Sequence, residues 1–321
     1  MNAALILRDV TKRYGDFIAV DRLSLRVAPG QIVGFLGPNG AGKTTTIRMI
    51  MSILYPDSGQ IEVLGRPRAV DVKDRIGYLP EERGLYRKMT VDHTLRYFGQ
   101  LKGLRGRDLR RRIDECLARV GLSDWRYKRT EALSKGMSQK LQFVATILHQ
   151  PDLVILDEPF SGLDPLNLEL LKDMVVELRQ RGATVLFSTH QMDHAQRLCD
   201  RILLINRGRK LIEGTLEEIR SRFSSRIVLL EGEGDFAPLA RFDGVLDAHF
   251  TAGQARLEIA AGTDPHAILR RATELARLSR YEVQRLDLHE IFVKLVGADS
   301  ADAGGPDAAP PAPAPPEGSR P

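Results

Sequence analysis

A glycine-rich octapeptide early in the chain fits the pattern G-x-x-x-x-G-K-[ST], which binds phosphate groups. Its residues are Gly37-Pro38-Asn39-Gly40-Ala41-Gly42-Lys43-Thr44. Residues 31–36 before it form a continuous apolar run typical of a buried strand, and residues 45–54 after it have a helical pattern. A turn between such a strand and helix points backbone N–H groups and the positive end of the helix dipole at one anion. The sequence therefore predicts a phosphate-binding loop in an α/β fold.

The side chains of this loop suggest how a nucleoside triphosphate would be held. Gly40 and Gly42 allow the backbone to approach the phosphates closely. Lys43 would reach the β- and γ-phosphates, and the Thr44 hydroxyl would bind Mg²⁺. We count Thr45, the next residue along the predicted helix, as a further candidate contact.

Two carboxylates, Asp157 and Glu158, end the apolar strand predicted to begin at Asp152. A continuous apolar run is typical of a parallel strand buried on both faces, and ligands of such sheets bind at the carboxyl ends of the strands. Asp157 is therefore a candidate Mg²⁺ ligand, and Glu158 is a candidate water-activating group. The alternative for two adjacent acids is a helix-capping turn.

Three further residues are candidates because of their positions. His190 ends the strand predicted from Thr184, where its imidazole could hydrogen-bond a γ-phosphate. Tyr14 lies in a loop before the phosphate loop, where its ring could stack on a base or simply pack. Residues 90–149 have apolar positions at helical spacing, and Ser134 is placed to cap the last helix of this insert.

Length and composition indicate a soluble protein of two domains. The chain has 321 residues, of which 43% are hydrophobic and 28% are charged. No apolar run approaches the roughly 18 residues of a membrane span. The apolar N-terminal patch has no basic stretch before it, so we expect no secretory signal and a cytosolic chain.

We expect residues 1–223 to form the first domain, with a helical subdomain at about 88–150. Residues 224–298 follow the order βαββαβ, which predicts a small α+β domain of ferredoxin-like type. Residues 299–321 are rich in Ala, Pro and Gly and are expected to form a disordered tail.

A basic segment lies in the helical region. Between Lys102 and Arg129 there are ten Lys and Arg residues against four Asp and Glu residues. Such a segment could favour an anionic membrane surface or nucleic acid, or could be the solvated face of a helix.

Over residues 4–222 the chain resembles the nucleotide-binding subunits of ATP-binding cassette (ABC) transporters. The resemblance rests on the order of its motifs more than on the phosphate loop alone. These motifs are Tyr14, the loop at 37–44, the signature Leu133-Ser134-Lys135-Gly136, Leu156-Asp157-Glu158, Ser161-Gly162-Leu163-Asp164 and His190.

The resemblance implies an ATPase that works as a head-to-tail dimer, either a homodimer or a heterodimer with a sister subunit. Ser134 and the Gly136 backbone would then donate to the γ-phosphate of ATP held by the other subunit. It also assigns Tyr14 to adenine stacking, Glu158 to polarising the attacking water, and His190 to holding the γ-phosphate. Integral-membrane permease subunits are the implied partners, at the cytoplasmic face of the cell membrane, and no nucleic acid is expected.

The chain departs from the usual family pattern at two places. The usual signature L-S-G-G-Q carries Lys135 and Met137 here, but Ser134 and Gly136 remain, so we expect the phosphate contact to persist. Glu81 stands where the family usually has a glutamine, and we predict that its carboxylate still binds Mg²⁺.

The Lys-Gly-Met signature, the segment at 81–86 and the extra C-terminal domain resemble the branch that serves sodium or drug export. This resemblance implies that the loop at 82–88 contacts the membrane partner. The alternatives are a soluble ABC ATPase of DNA maintenance or translation, an iron–sulfur assembly cassette, and a binding module without turnover. The sequence shows neither the long coiled-coil insertion of the DNA-maintenance ATPases nor the second cassette of the translation ATPases. The extra C-terminal domain disfavours an iron–sulfur assembly cassette. Glu158 argues against a binding module without turnover. The sequence leaves open the cargo, the direction of transport and the role of the C-terminal domain.

Overall fold

Three β-sheets organise the chain in the computed structural model, which describes residues 3–82 and 84–302. The central sheet has six strands in the order β5-β6-β7-β3-β8-β9, parallel except for the last pair. Its strands are β3 (Ile32–Leu36), β5 (Ile76–Leu79), β6 (Leu153–Asp157), β7 (Thr184–Thr189), β8 (Arg201–Asn206) and β9 (Arg209–Gly214). Every residue of β3, β6 and β7 is buried, as the continuous apolar runs predicted.

A second sheet is antiparallel and packs beside the phosphate loop. It contains β1 (Leu5–Tyr14), β2 (Phe17–Val27) and β4 (Ser58–Val63), in the order β2-β1-β4. A two-residue turn at Gly15 and Asp16 joins β1 directly to β2, so Tyr14 ends a strand instead of lying in a loop as predicted.

Helices cover both faces of the central sheet. They are α1 (Lys43–Ile50), α2 (Val91–Leu101), α3 (Gly106–Arg119), α4 (Lys135–Ile147), α5 (Pro165–Gln180), α6 (Met192–Leu198) and α7 (Leu216–Ser221). Helix α1 starts at Lys43, two residues before the predicted start, and ends at Ile50 instead of continuing to Leu54. Two separate apolar cores form as a result, one around Phe35 and Ile47 and one around Phe143 and Phe187.

The third sheet has the order β11-β12-β10-β13 and is antiparallel throughout. Its strands are β10 (Arg226–Gly234), β11 (Val245–Thr251), β12 (Gln254–Ile259) and β13 (Ala276–Arg285). A 3-10 helix (Ala237–Arg241) and α8 (Pro265–Leu275) connect them. Together the three sheets confirm the predicted class, an α/β ABC ATPase fold followed by a small α+β ferredoxin-like fold. The final strand begins at Ala276, directly after α8.

The last helix, α9 (Leu288–Asp302), folds back between the third sheet and the central one. Leu288 and Ile291 join the apolar core that contains Phe187. The Glu290 and Lys294 side chains form ion pairs with β12. The helix runs to Asp302, so residues 299–302 are helical where we expected the disordered tail to begin. The rest of that predicted tail lies outside the described residues.

Candidate active site

Most of the predicted site residues line one cavity of about 370 Å³. Its lining consists of Tyr14, Phe17, Ala19, Asn39, Gly40, Gly42, Lys43, Thr44, Thr45, Glu81 and Glu158. Three of the loops that form it directly follow the parallel strands β3, β5 and β6, so their polar side chains meet at one edge of the sheet.

Glycine is required in the phosphate loop at two positions. Gly42 has φ of +100°, and a Cβ there would lie 2.4 Å from the carbonyl oxygen of Ala19. A Cβ on Gly37 would lie 2.4 Å from the carbonyl oxygen of Ile205. The loop is also tied to the core by Ala41, whose carbonyl accepts a hydrogen bond of 3.0 Å from the backbone N–H of Gly208. The loop is therefore held in one shape by backbone packing.

Lys43 is nearly buried, with a side-chain exposure of 6%. Its Nζ donates to the carbonyls of Gly37 at 2.7 Å and Pro38 at 3.1 Å, and lies 3.7 Å from Glu158 Oε1. Burial lowers the pKa of Lys43, while nearby carboxylates, chiefly that of Glu158, act in the opposite direction. The ammonium group is thus placed between the loop carbonyls and the acidic end of the cavity.

Asp157 lies under the cavity and is 1% exposed. One oxygen accepts a hydrogen bond from Ser188, and Oδ2 is buried without a hydrogen-bond partner among the described residues. Burial raises the pKa of Asp157, and the neighbouring hydroxyls of Ser188 and Thr44 oppose that rise. An unpaired buried carboxylate oxygen beside a hydroxyl suits a hard cation, which prefers oxygen ligands. The residues present therefore fit Mg²⁺.

Glu158 combines an unusual backbone conformation with a close contact to His190. Its φ is +48°, in the left-handed region that is unfavourable for a residue with a side chain. Its backbone N–H donates to the carbonyl of Ser188 at 3.2 Å, and His190 Nδ1 lies 3.0 Å from Glu158 Oε1. Strained residues of this kind cluster at functional sites. Neither acid caps the next helix, since Asp164 does so.

The signature residues Ser134 and Gly136 do not line this cavity. Ser134 caps α4, as predicted, and its side chain accepts a hydrogen bond of 3.2 Å from the backbone N–H of Met137. Gly136 lies near Asn167 and Asp164 at the start of α5. Within one chain, the structure leaves the signature apart from the phosphate loop.

Sequence reasoning missed two residues of this site. Phe17 lines the cavity, and Ser188 contacts both Asp157 and Glu158. A signal existed for Phe17, because a tight turn at Gly15 and Asp16 would place it opposite Tyr14. Ser188 could have been found only by knowing that it lies beside Asp157 in the register of β6 and β7.

Comparison with known proteins gives matches to two families. Residues 20–161 match the ABC transporter family, and residues 214–296 match the C-terminal domain of ATP-binding proteins of DrrA1-3 type. A relative in Bacillus subtilis (strain 168), an uncharacterised ABC transporter ATP-binding protein named YhaQ, is 41% identical over 92% of this chain and 99% of its own. Nod factor export ATP-binding protein I of Cupriavidus metallidurans is 35% identical over 94% of this chain and its own full length.

A solved structure described as an ATP-binding subunit of an ABC transporter has a TM-score of 0.65 and 34% identity to this chain. The likeness covers 68% of this chain and 93% of that one. Among the described residues, no helix is both long enough and apolar enough to cross a membrane. On the extent of these matches, the chain belongs to the ATP-binding subunits of ABC transporters, which are ATPases.

Proposed function

We propose that this chain drives an export-type ABC transporter by hydrolysing ATP in a head-to-tail dimer coupled to separate membrane subunits. One observation supports the proposal of a dimer. Lys43 and Glu158 line one cavity, whereas the signature residue Ser134 lies outside it. A second copy, or a sister subunit, would supply its own Ser134 and Gly136 to ATP held on this chain. The predicted ATP-binding role of these residues thus requires a partner.

The chemistry follows from the contacts of Glu158. Its carboxylate would accept a hydrogen bond from the attacking water, and His190, 3.0 Å away and half exposed, would hold the γ-phosphate against that water. Lys43 would neutralise phosphate charge once it leaves the loop carbonyls. Thr44, Asp157 and Glu81 would hold Mg²⁺, which offsets charge on the phosphate oxygens when bound.

Replacing Glu81 by glutamine is expected to raise the Mg²⁺ concentration needed for half-maximal ATPase activity. The amide keeps the shape but loses the charge, and changing one group around a bound metal alters affinity by roughly tenfold. The measurement is ATPase activity across a Mg²⁺ titration at fixed ATP. Glu82→Gln is the matched control, because Glu82 is exposed and does not line the cavity. An unchanged Mg²⁺ requirement in Glu81→Gln contradicts the proposed role.

Export is supported by the relative named for Nod factor export, which this chain matches over nearly its whole length. The cargo would be selected by the membrane subunits.

A groove between the central sheet and the helical region suits a membrane subunit. It encloses about 420 Å³ and is mostly apolar, with Tyr78, Leu85, Phe98 and Leu101 among its lining residues. His149 also lines it, and burial lowers the pKa of this histidine to about 4, so it is neutral at neutral pH. Gly84 and Leu85, from the loop that the resemblance assigns to the same partner, also line this groove.

The basic helix α3 would lie near the lipid at the cytoplasmic face of the cell membrane. Ion pairs within the helix already occupy Arg111 and Arg112. Among the described residues, Arg105, Arg107 and Arg110 have no ion-pair partner and are exposed, so they are the side chains available to anionic headgroups.

Affinity isolation of the tagged chain from detergent-solubilised native membranes tests the proposal. We expect a polytopic membrane protein to co-purify in stoichiometric amounts. Leu101→Asp should lose this partner while still binding ATP, because Leu101 is 62% exposed at the groove. Leu246→Asp is the matched control, since Leu246 is 61% exposed on the third sheet. Recovery of soluble partners alone would favour a soluble ABC ATPase instead.

A further inference from the structure

Two aromatic side chains stand at the rim of the nucleotide cavity. Tyr14 and Phe17 are Cα partners at the end of the β1–β2 hairpin, and both line the cavity. Directly opposed residues of an antiparallel pair project from the same face. Their side chains are 49% and 56% exposed, and no contact joins the two rings in the described part of the chain. About half of each side chain is therefore accessible to a ligand.

The two rings differ in what lies behind them. Lys12 Nζ is 5.8 Å from the centroid of the Tyr14 ring, and Asp57 holds that ammonium at 2.9 Å. Tyr14 thus has a cation near its ring, whereas among the described residues no cation lies over the ring of Phe17. Covering an exposed apolar ring beside a ligand cavity with a flat apolar surface lowers the free energy, because both surfaces are then removed from water.

Polar and apolar residues are segregated along the cavity. At the hairpin end, the lining consists of Tyr14, Phe17 and Ala19, which offer ring faces and a methyl group. The other lining residues belong to the phosphate loop, its helix, Glu81 and Glu158, and supply nearly all the charge and hydrogen-bonding groups. A triphosphate suits the second end, and a flat heterocycle suits the first.

We infer that Phe17 is a second nucleobase-binding residue, and that the rings of Phe17 and Tyr14 both stack on the faces of the base. The inference rests on the proposed ATP site. Stacking on aromatic side chains tolerates any base, because every base has a π-face. The hairpin end therefore grips adenine and guanine alike, and discrimination between them at this end is weak.

Phe17→Ala tests the inference through ligands that do and do not carry a base. The affinities of ATP, GTP and inorganic tripolyphosphate are measured by calorimetry with Mg²⁺. We expect Phe17→Ala to weaken ATP and GTP by a similar factor of about 5- to 20-fold, the lower part of the range for one base–aromatic stack. Tripolyphosphate binding should not change, because it has no base.

Conservative and matched variants exclude a merely structural effect. Phe17→Trp should retain both affinities, and its indole fluorescence should change on ATP addition but not on tripolyphosphate addition. Tyr127→Ala removes another exposed aromatic ring, 77% exposed and outside the cavity, and should bind all three ligands normally.

Wild-type ATP affinity in Phe17→Ala would overturn the inference, and so would an equal loss of tripolyphosphate affinity, which would indicate a distorted phosphate loop. The proposed function stands or fails separately, on ATP turnover and on the membrane partner of the wild-type chain.

Discussion

Replacing Glu158 by glutamine is expected to lower the rate of ATP hydrolysis by about 100- to 10,000-fold, the contribution of a positioned general base. The substitution removes the charge that polarises water but keeps the side-chain shape. The left-handed backbone at this position is tolerated equally by glutamine, and the contact with His190 can persist through the amide oxygen. ATP binding should therefore survive while turnover stops.

The experiment measures phosphate release and oligomeric state in the same samples. With ATP and Mg²⁺, Glu158→Gln should accumulate as a dimer on size-exclusion chromatography, whereas the wild type should hydrolyse its ATP and return to monomer. Glu62→Gln, at a carboxylate remote from the cavity, is the matched control and should behave as wild type. Full turnover in Glu158→Gln would remove Glu158 from its proposed role. Loss of turnover without a dimer would leave that role intact and contradict the dimer proposal.

The positions of site residues that could be predicted from the sequence are those set by local patterns. A strand, a glycine-rich turn and a helix determine one another over residues 31–50, so the place of Lys43 and Thr44 at the cavity follows from adjacent residues. The strand that carries Asp157 could be predicted equally well, because burial on both faces requires a continuous apolar run. The order of strands and helices in the third sheet could also be predicted from local patterns, although its edge strands β11 and β13 are largely exposed.

What the sequence could not show depends on contacts between distant segments. Ser188 reaches Asp157 only because β6 and β7 are neighbours in a particular register. A charge count also has a local limit. For the basic segment the sequence left open an anionic membrane surface, nucleic acid or the solvated face of a helix, and in the structure Arg111 and Arg112 pair with acids one turn away on the same helix. Ion pairing of this kind depends on side-chain geometry that a charge count omits.

The unusual lysine of the signature shows the same limit. Lys135 folds over Gly162, and its Nζ lies 2.6 Å from the point where a Cβ on Gly162 would stand. That atom is the end of a flexible side chain that can move aside, so it is the left-handed φ of +72° that favours glycine at this position. The contact joins two motifs separated in sequence, and neither motif alone indicates it.

The second large effect is expected at a glycine of the phosphate loop, where a substitution causes both steric overlap and backbone strain. Gly42→Ala is expected to destabilise the fold by about 2–5 kcal/mol and to abolish measurable ATP binding. An alanine Cβ would stand 2.4 Å from the carbonyl oxygen of Ala19, a backbone atom that can move only if β2 moves. Strain from the left-handed backbone adds about 1–2 kcal/mol to this overlap.

Gly40→Ala and Gly65→Ala measure the cost of backbone strain without steric overlap. Both glycines have positive φ, +77° and +76°, and a Cβ at either would meet nothing within 4 Å. Each substitution should therefore lower the free energy of unfolding by about 1–2 kcal/mol only. Urea unfolding of the three variants, with calorimetry of ATP binding, makes the comparison.

Equal destabilisation in all three variants would mean that left-handed strain governs the loop. A larger loss of unfolding free energy in Gly42→Ala would show that the loop is fixed by its contact with the β1–β2 hairpin. Since that hairpin also carries Tyr14 and Phe17, the same contact would set the distance between the base-binding rings and the phosphate-binding amides.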